Sequence, residues 1–150
     1  MNKLIYKTTN LLLGKGDKCY YDVALLIMRL VLGGFMLTHG IAKLSNFEAL
    51  SQNFPDPLHV GSTASLVMIL FAEVGCSILL ILGLFTRLAL IPLMFGMIIA
   101  AFVIHGGMAF AERESPLFYL SMYLVMLVAG SGNFSIDFLI RKYLINRKKE

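Results

Sequence analysis

The chain has few charged residues, few cysteines and no long polar segment, and each shortage excludes a class of protein. Only 15% of its 150 residues are charged and 58% are hydrophobic, which argues against a soluble domain of this size. The two cysteines, Cys19 and Cys76, are far apart and form no CxxC. This pattern implies no disulfide framework and argues against thiol–disulfide chemistry through the chain's own cysteines. No polar run is long enough to hold a soluble catalytic module.

The N-terminal segment does not resemble a cleavable signal peptide. Its apolar run of residues 11–13 is too short, and residues 14–18 offer no cleavage site flanked by small residues. We expect residues 2–13 to form a short interfacial helix instead. Residues 1–21 would then be an interfacial and cytoplasmic segment.

Four apolar stretches are each close to the length that crosses a bilayer. They cover approximately residues 23–43, 64–84 and 88–108, and a fourth begins near Leu117. A hydrocarbon core of about 30 Å needs about 20 helical residues, and helices satisfy all backbone groups within one segment. The predicted fold is therefore all-α, a polytopic four-helix membrane bundle. Residues 22–139 would be its core and 140–150 a basic tail, within one membrane domain of 1–150.

The distribution of basic residues predicts the orientation of these helices. Lysines and arginines collect before the first stretch and after the last, whereas the first and third connections are mainly acidic. The second connection carries Arg87. Because basic residues near membrane segments favour the cytoplasmic side, we expect both termini and Arg87 to be cytoplasmic.

The fourth stretch ends in a glycine-rich segment. Residues 117–129 would rise only about 20 Å as a helix, which is shorter than the bilayer core, and Gly130 and Gly132 follow. Either the helix continues through both glycines, or irregular backbone lies at membrane depth against protein or water. Ser135 would then cap a basic helix that runs to about Arg147, with Asp137 in its first turn.

Six ionisable residues lie at or inside the edges of the apolar stretches: Arg29, His39, Lys43, Glu73, His105 and Asp137. Charges at membrane depth are costly, and by default they face a cavity, a bundle interior or each other. On the first helix, one face carries Arg29, Gly33, Met36, Gly40 and Lys43, and its small residues allow another helix to approach closely.

Glu73 is expected near the bilayer midplane, where an uncompensated carboxylate would take up a proton. Its cationic partner stays open between His39, Lys43, His105 and Arg29. A buried pair could simply fix helix register. We favour an outward-facing cavity for a quinone-like or anionic ligand, with Arg29, His39, Lys43, Glu73 and His105 as binding residues. Glu73, His39 and His105 are the best catalytic candidates, and two histidines on separate helices do not predict a metal site.

A second polar cluster is expected at the cytoplasmic end, where Arg29, Arg87, Asn133 and Asp137 lie at similar depth. A buried guanidinium needs acceptors. We therefore predict that Asp137 pairs with Arg29 or Arg87, as a structural lock between the fourth helix and either the first helix or the inner turn.

Three segments resemble DoxX-like membrane proteins. They are Arg29-Leu30-Val31-Leu32-Gly33 with Thr38-His39-Gly40-Ile41-Ala42-Lys43-Leu44, then Glu73-Val74-Gly75 with Leu82-Gly83-Leu84-Phe85-Thr86-Arg87, and finally Gly130-Ser131-Gly132-Asn133-Phe134-Ser135-Ile136-Asp137. The only departure noted is Ile136, where the family usually has Leu. The resemblance covers residues 22–139 and implies a four-helix bundle in a bacterial inner membrane.

The resemblance also implies a link to redox chemistry. Some relatives are a subunit of a thiosulfate:quinone oxidoreductase, and others associate with thiol- or superoxide-detoxifying proteins. It marks Arg29, His39, Lys43, Glu73, Arg87 and Asp137 as family-type polar positions, while His105 is outside the pattern. We expect a redox-associated subunit that handles quinone or a small sulfur anion, with quinone as the candidate cofactor. Whether the chain is itself an enzyme stays open.

The alternative function is a non-enzymatic membrane scaffold that docks soluble redox or detoxification proteins. A small-solute transporter ranks last, because the sequence has no internal repeat. The expected partners are the lipid bilayer and either soluble redox proteins or a second membrane-associated subunit. No nucleic-acid partner is expected, and a homo-oligomer stays open.

Overall fold

The computed structural model of the protein describes residues 18–147, and helices make up most of that range, with no strand within it. The helices are α1 (Lys18–Ser45), α2 (Phe47–Ser51), α3 (Ser62–Leu82), α4 (Thr86–Ile104), α5 (Phe110–Ala129) and α6 (Ile136–Arg147). The predicted all-α class is confirmed. The interfacial helix expected over 2–13 lies outside the described residues.

Three helices are long and apolar enough to cross a membrane, namely α1, α3 and α4. α5 has 20 residues, but its first turns contain Glu112, Arg113 and Glu114. Only residues 115–129 are free of charge, and as a helix they rise about 22 Å. The described chain therefore has three candidate spans, and the predicted fourth stays a prediction.

Close packing between α1 and α3 follows from the predicted face of small residues on α1. A Cβ atom on Gly33 would lie 2.7 Å from Ile81 Cγ1, and one on Gly40 would lie 2.7 Å from Val74 Cγ2. Only a residue without a side chain fits at such an approach. The predicted face is confirmed, and α5 packs along α4 on the other side of the core.

The core is apolar and draws on all four long helices. Its buried members are Leu32, Met36, Ala72, Cys76, Leu80, Ala89, Leu90, Leu93, Met97, Tyr123 and Met126. Large apolar side chains are also exposed on the outer faces of the same helices, among them Phe35, Phe71 and Phe95. An apolar exterior around an apolar core is the pattern expected of helices in contact with lipid.

Two segments depart from α-helical geometry. Residues Phe71–Cys76 of α3 and Ile99–Ile104 at the end of α4 form π-helical turns. The second π-helical segment ends α4 at Ile104, whereas the sequence predicted a helix to about Met108. His105 was expected four residues inside the helix, and this expectation is wrong because His105 is the first residue beyond it.

The glycine-rich segment resolves the two alternatives for the end of the fourth stretch. α5 begins at Phe110, earlier than predicted, and ends at Ala129. Gly130 and Gly132 then adopt φ values of 84° and 71°, and residues 130–135 are irregular. The Ser135 hydroxyl accepts a hydrogen bond from the Phe138 backbone N–H at 3.2 Å, so the predicted helix cap is confirmed.

The bundle thus has two different ends. We call the end with the connections 46–61 and 105–109 the loop end, and the end with residues 83–85 and 130–135 the turn end.

Candidate functional site

A buried ion pair joins α1 to α3 towards the loop end. Lys43 Nζ lies 2.6 Å from Glu73 Oε1 and 2.5 Å from Oε2, so the ammonium bridges both carboxylate oxygens. Glu73 is only 4% exposed, whereas the Lys43 side chain keeps 28% of its surface exposed. This is the only side-chain salt bridge within residues 18–147. Of the four cations that the sequence left open, Lys43 is the partner of Glu73.

Local backbone structure brings the two side chains together. A Cβ on Gly40 would lie 3.0 Å from Glu73 Cβ, so the absence of a side chain there allows α1 to lie directly on α3. Lys43 follows Gly40 by three residues and therefore shares its face. Glu73 lies inside the π-helical turn of α3, and such turns occur frequently at functional sites.

A cavity of about 690 Å³ opens beside this ion pair. We call it the loop-end cavity. Its walls come from α3, α4 and the long loop, and most of the lining is apolar, including Phe54, Pro57, Met68, Phe71, Phe95 and Met97. Lys43, Glu73 and His105 are its ionisable lining residues. Apolar cavities of this size with a few polar groups are typical of small-molecule sites.

His105 is held in the cavity wall by the end of α4. Its Nδ1 atom lies 2.7 Å from the Ala100 carbonyl oxygen, which also accepts the His105 backbone N–H at 3.0 Å. A carbonyl can only accept, so Nδ1 carries a proton and Nε2 is the acceptor in the neutral ring. Of the five residues expected to bind a ligand, the structure therefore brings Lys43, Glu73 and His105 to one cavity.

His39 lies outside the loop-end cavity. It is exposed on α1, and its ring meets Tyr119 edge-on at a centroid distance of 6.4 Å. Tyr123, the next aromatic residue on that face of α5, is fully buried, and its hydroxyl has no hydrogen-bond partner in the described part of the chain. The structure thus separates His39 from the other candidate binding residues. No group of three or more metal-ligating side chains occurs between residues 18 and 147.

Arg29 belongs to the turn end rather than to the cavity. It is 0% exposed, and its Nη2 donates to the carbonyl oxygen of Phe134. The guanidinium lies against the α3–α4 turn, where a Cβ on Gly83 would come within 1.7 Å of Nη1. Arg29 was a candidate both for ligand binding and for the structural lock, and its contacts are those of a lock.

Asp137 caps a helix instead of pairing with an arginine. Its Oδ1 accepts the Phe85 N–H at 2.7 Å and its Oδ2 accepts the Thr86 N–H at 3.0 Å. The Asp137 N–H in turn donates to the Gly83 carbonyl at 2.9 Å. Within residues 18–147 no arginine lies within 4.0 Å of the Asp137 carboxylate, because the exposed N–H groups at the start of α4 engage both oxygens. Asp137 still lies near enough to Arg29 to act on its charge electrostatically, so the predicted direct ion pair is replaced by a longer-range interaction. The predicted link to the turn between α3 and α4 is present.

Asp22 is an important residue of the turn end that the sequence reading missed. It is 8% exposed, and its carboxylate accepts the Asn133 backbone N–H at 2.9 Å and the side-chain amide at 2.6 Å. The turn end therefore has a second acid beside Asp137. Asp22 precedes Arg29 by seven residues, close to two helical turns, so it could have been found on the same face.

Arg87 takes no part in these contacts. Its side chain is exposed and faces a second cavity of about 510 Å³, which Asn133, Asp137 and Arg141 also line. We call it the turn-end cavity. Of the four residues predicted for the lock, three make contacts at the turn end: Arg29 and Asp137 bind groups of residues 83–86 and 134, and Asn133 binds Asp22. Arg87 makes no such contact in the described part of the chain.

Comparison with known families identifies the family to which the chain belongs. The family model described as DoxX matches residues 24–106, which is more than half of the chain. The chain belongs to the DoxX family. The matched region of this DoxX protein contains the ion pair, His105, Arg29 and Arg87, whereas Asn133 and Asp137 lie beyond it.

One curated relative of this DoxX protein is an uncharacterized protein from Haemophilus influenzae. The two are 27% identical over 128 residues, which cover 80% of this chain and 85% of the relative. No solved structure matches the chain. Family membership indicates a membrane protein, which agrees with the three apolar helices.

Proposed function

We propose that this DoxX protein is a redox-associated membrane subunit that binds a quinone in the loop-end cavity. The observation that carries the proposal is the Lys43–Glu73 pair, which gives a charged group to a mainly apolar cavity. A quinone combines the same two properties as the cavity, because its ring and tail are apolar and its two carbonyl oxygens accept hydrogen bonds. A small sulfur anion fits less well, since it would have to lose its hydration among apolar side chains.

The ionisable groups of the cavity suit the proton chemistry of a quinone. The Lys43 ammonium can donate to a quinone carbonyl, while the Glu73 carboxylate and His105 Nε2 can accept from the hydroxyls of the reduced form. Reduction of a quinone takes two electrons and two protons. In this proposal a redox partner protein supplies the electrons, and Lys43, Glu73 and His105 exchange the protons.

Binding of a short-chain quinone to the purified protein tests this proposal. An isotopically labelled ubiquinone analogue should bind the wild-type protein in detergent, and Glu73→Gln should weaken that binding about tenfold, equal to the loss of about 1.4 kcal/mol. The matched control is Glu114→Gln, which removes an exposed carboxylate on α5 and should leave binding unchanged. Equal binding by wild type and Glu73→Gln would contradict the proposed site.

The scaffold remains the second candidate function, and helix α6 favours it. α6 has no buried residue and carries Arg141, Lys142 and Arg147, so it offers a basic surface to a soluble protein. The two functions differ in their need for Glu73. Glu73→Gln should abolish the function of a quinone-binding subunit, whereas a scaffold should keep its partners in a pull-down.

We further propose that the protein crosses a bacterial inner membrane four times, with both termini in the cytoplasm. The support is the 20-residue length of α5 and the concentration of basic residues at both ends of the sequence. Under this topology the turn end faces the cytoplasm. A reporter fused after Glu150 should be active only as a cytoplasmic fusion, and a periplasmic signal would exclude this orientation.

A further inference from the structure

The turn-end cavity has a chemistry unlike that of the loop-end cavity. It is lined by the start of α4, by the loop 130–133 and by the first turns of α6. Its lining includes six polar or charged residues: Thr86, Arg87, Ser131, Asn133, Asp137 and Arg141. Its lining shares no residue with that of the loop-end cavity, so it calls for a separate explanation.

Two guanidinium groups line this cavity, from Arg87 on α4 and Arg141 on α6. Within residues 18–147, neither has a carboxylate within 4.0 Å. Asp137 is the one acid in the lining, and the N–H groups of Phe85 and Thr86 already engage its two oxygens. Both arginines are therefore left with hydrogen-bond donors that no acid of this range occupies.

Arg141 and Ser131 complete the arrangement. The Arg141 guanidinium lies over the Phe138 ring at 5.5 Å from its centroid, a contact that favours one position of a long side chain. Ser131 brings a hydroxyl into the same lining. Arginine presents a planar fork that matches phosphate oxygens, and such charge-assisted bonds are stronger than neutral ones.

We propose that the turn-end cavity binds a phosphate group through Arg87 and Arg141. The cavity lies where α3, α4 and α5 end, which is the depth of phospholipid headgroups for helices that span a bilayer. The phosphate can come from an anionic phospholipid or from free phosphate, because both present the same oxygens to the two arginines.

Native mass spectrometry of the delipidated protein in detergent tests the lipid source, with phosphatidylglycerol as the probe and phosphatidylcholine as the neutral comparison. Calorimetric titration with inorganic phosphate, at matched ionic strength in chloride, tests the free source. The variant is Arg87→Gln with Arg141→Gln. Its control is Lys142→Gln with Arg147→Gln, which removes the same charge from α6 without touching the cavity lining.

The cavity variant should bind at least one of the two probes about tenfold more weakly, and the control should stay within about twofold of wild type. Loss of phosphatidylglycerol binding alone identifies the lipid, and loss of inorganic phosphate binding alone identifies the free anion. Equal losses in both variants, or no loss in either, would overturn the proposal. If the double variant does not fold, Arg141→Gln alone, on the exposed helix α6, is compared with wild type and with the control in the same two assays.

Discussion

Glu73 and Arg29 are two buried charged side chains at different ends of the bundle, and the protein gives them different kinds of partner. Glu73 binds the side chain of Lys43, which is partly exposed, beside an open cavity. Arg29 binds a backbone carbonyl and is fully enclosed. A flexible side-chain partner can exchange with a ligand, whereas a backbone partner fixes one geometry. The comparison suggests that the Glu73 pair can rearrange, whereas the contacts of Arg29 hold the turn end rigid.

Among the substitutions that we consider, Gly83→Ala should destabilise the turn end most. The new Cβ would overlap Arg29 Nη1, and Gly83 has a φ of 67°, where a side chain is strained. We expect a loss of about 2–4 kcal/mol in the free energy of unfolding, measured by denaturation in detergent. Gly34→Ala is the control, since nothing lies within 4 Å of that position. If the overlap is the cause, adding Arg29→Met should recover part of the loss.

The loop end can be tested through the coupling between Lys43 and Glu73. Lys43→Gln and Glu73→Gln should each lower stability, and the double variant should lose less than their sum by about 0.5–3 kcal/mol. Lys43→Gln combined with Glu114→Gln should be additive within about 0.5 kcal/mol, because these sites share no partner. A coupling near zero for the first pair would contradict a direct ion pair.

A smaller effect is expected at the cap that Asp137 provides. Asp137→Ala should cost about 1–2 kcal/mol, because two N–H groups at the start of α4 lose their acceptor. Asp137→Asn should cost less, since its amide oxygen can still accept one of them. Exchanging Asp137 with Arg87 should not restore stability. Recovery in that charge swap would show that an arginine is the true partner.

The smallest effect concerns Asp56, which closes the loop over the cavity. Its carboxylate accepts the Ser65 hydroxyl at 2.7 Å, together with the N–H groups of Gly61 at 2.7 Å and Val60 at 3.1 Å. The Ser65 hydroxyl and then these N–H groups lower the pKa of Asp56 below its ordinary value of 3.8. Its contribution to stability is therefore complete above pH 3.8 and is lost as the pH falls through the lowered pKa.

Asp56→Asn should accordingly lower the thermal midpoint slightly at pH 7, and the difference from wild type should shrink well below pH 3.8. Thermal melts of the two proteins across this range provide the measurement. Glu48→Gln, on the exposed surface of α2, is the control. A difference that stays constant with pH would mean that Asp56 does not hold the loop as an anion.

Hydrophobic periodicity predicted the helices and the buried face of α1, because both follow from the spacing of apolar and small residues. The π-helical turns were missed, since a change in hydrogen-bond register leaves the apolar pattern almost unaltered. The sequence could not identify Lys43, rather than His39 or His105, as the partner of Glu73, because all three were expected at a similar depth in the membrane. The cavity was only inferred from charge, since its walls depend on how residues 54–58 pack over α3 and α4.

The partners of Asp137 could not be predicted from the sequence for a related reason. Backbone N–H groups do not show in a sequence, so a carboxylate among arginines suggested an ion pair. Asp22 was missed because it lay just before the predicted start of the first span. The α1 helix in fact includes it, and its seven-residue spacing from Arg29 was the available signal.

The cap on α4 also sets an order of events during synthesis. Asp137 follows Phe85 by 52 residues, which takes about 3–10 s at about 5–20 residues per second. For that interval the α3–α4 turn leaves the ribosome without the carboxylate that later engages its N–H groups. The turn is therefore synthesised early and capped late. A chain that ends before residue 137 leaves the N–H groups of Phe85 and Thr86 without this carboxylate.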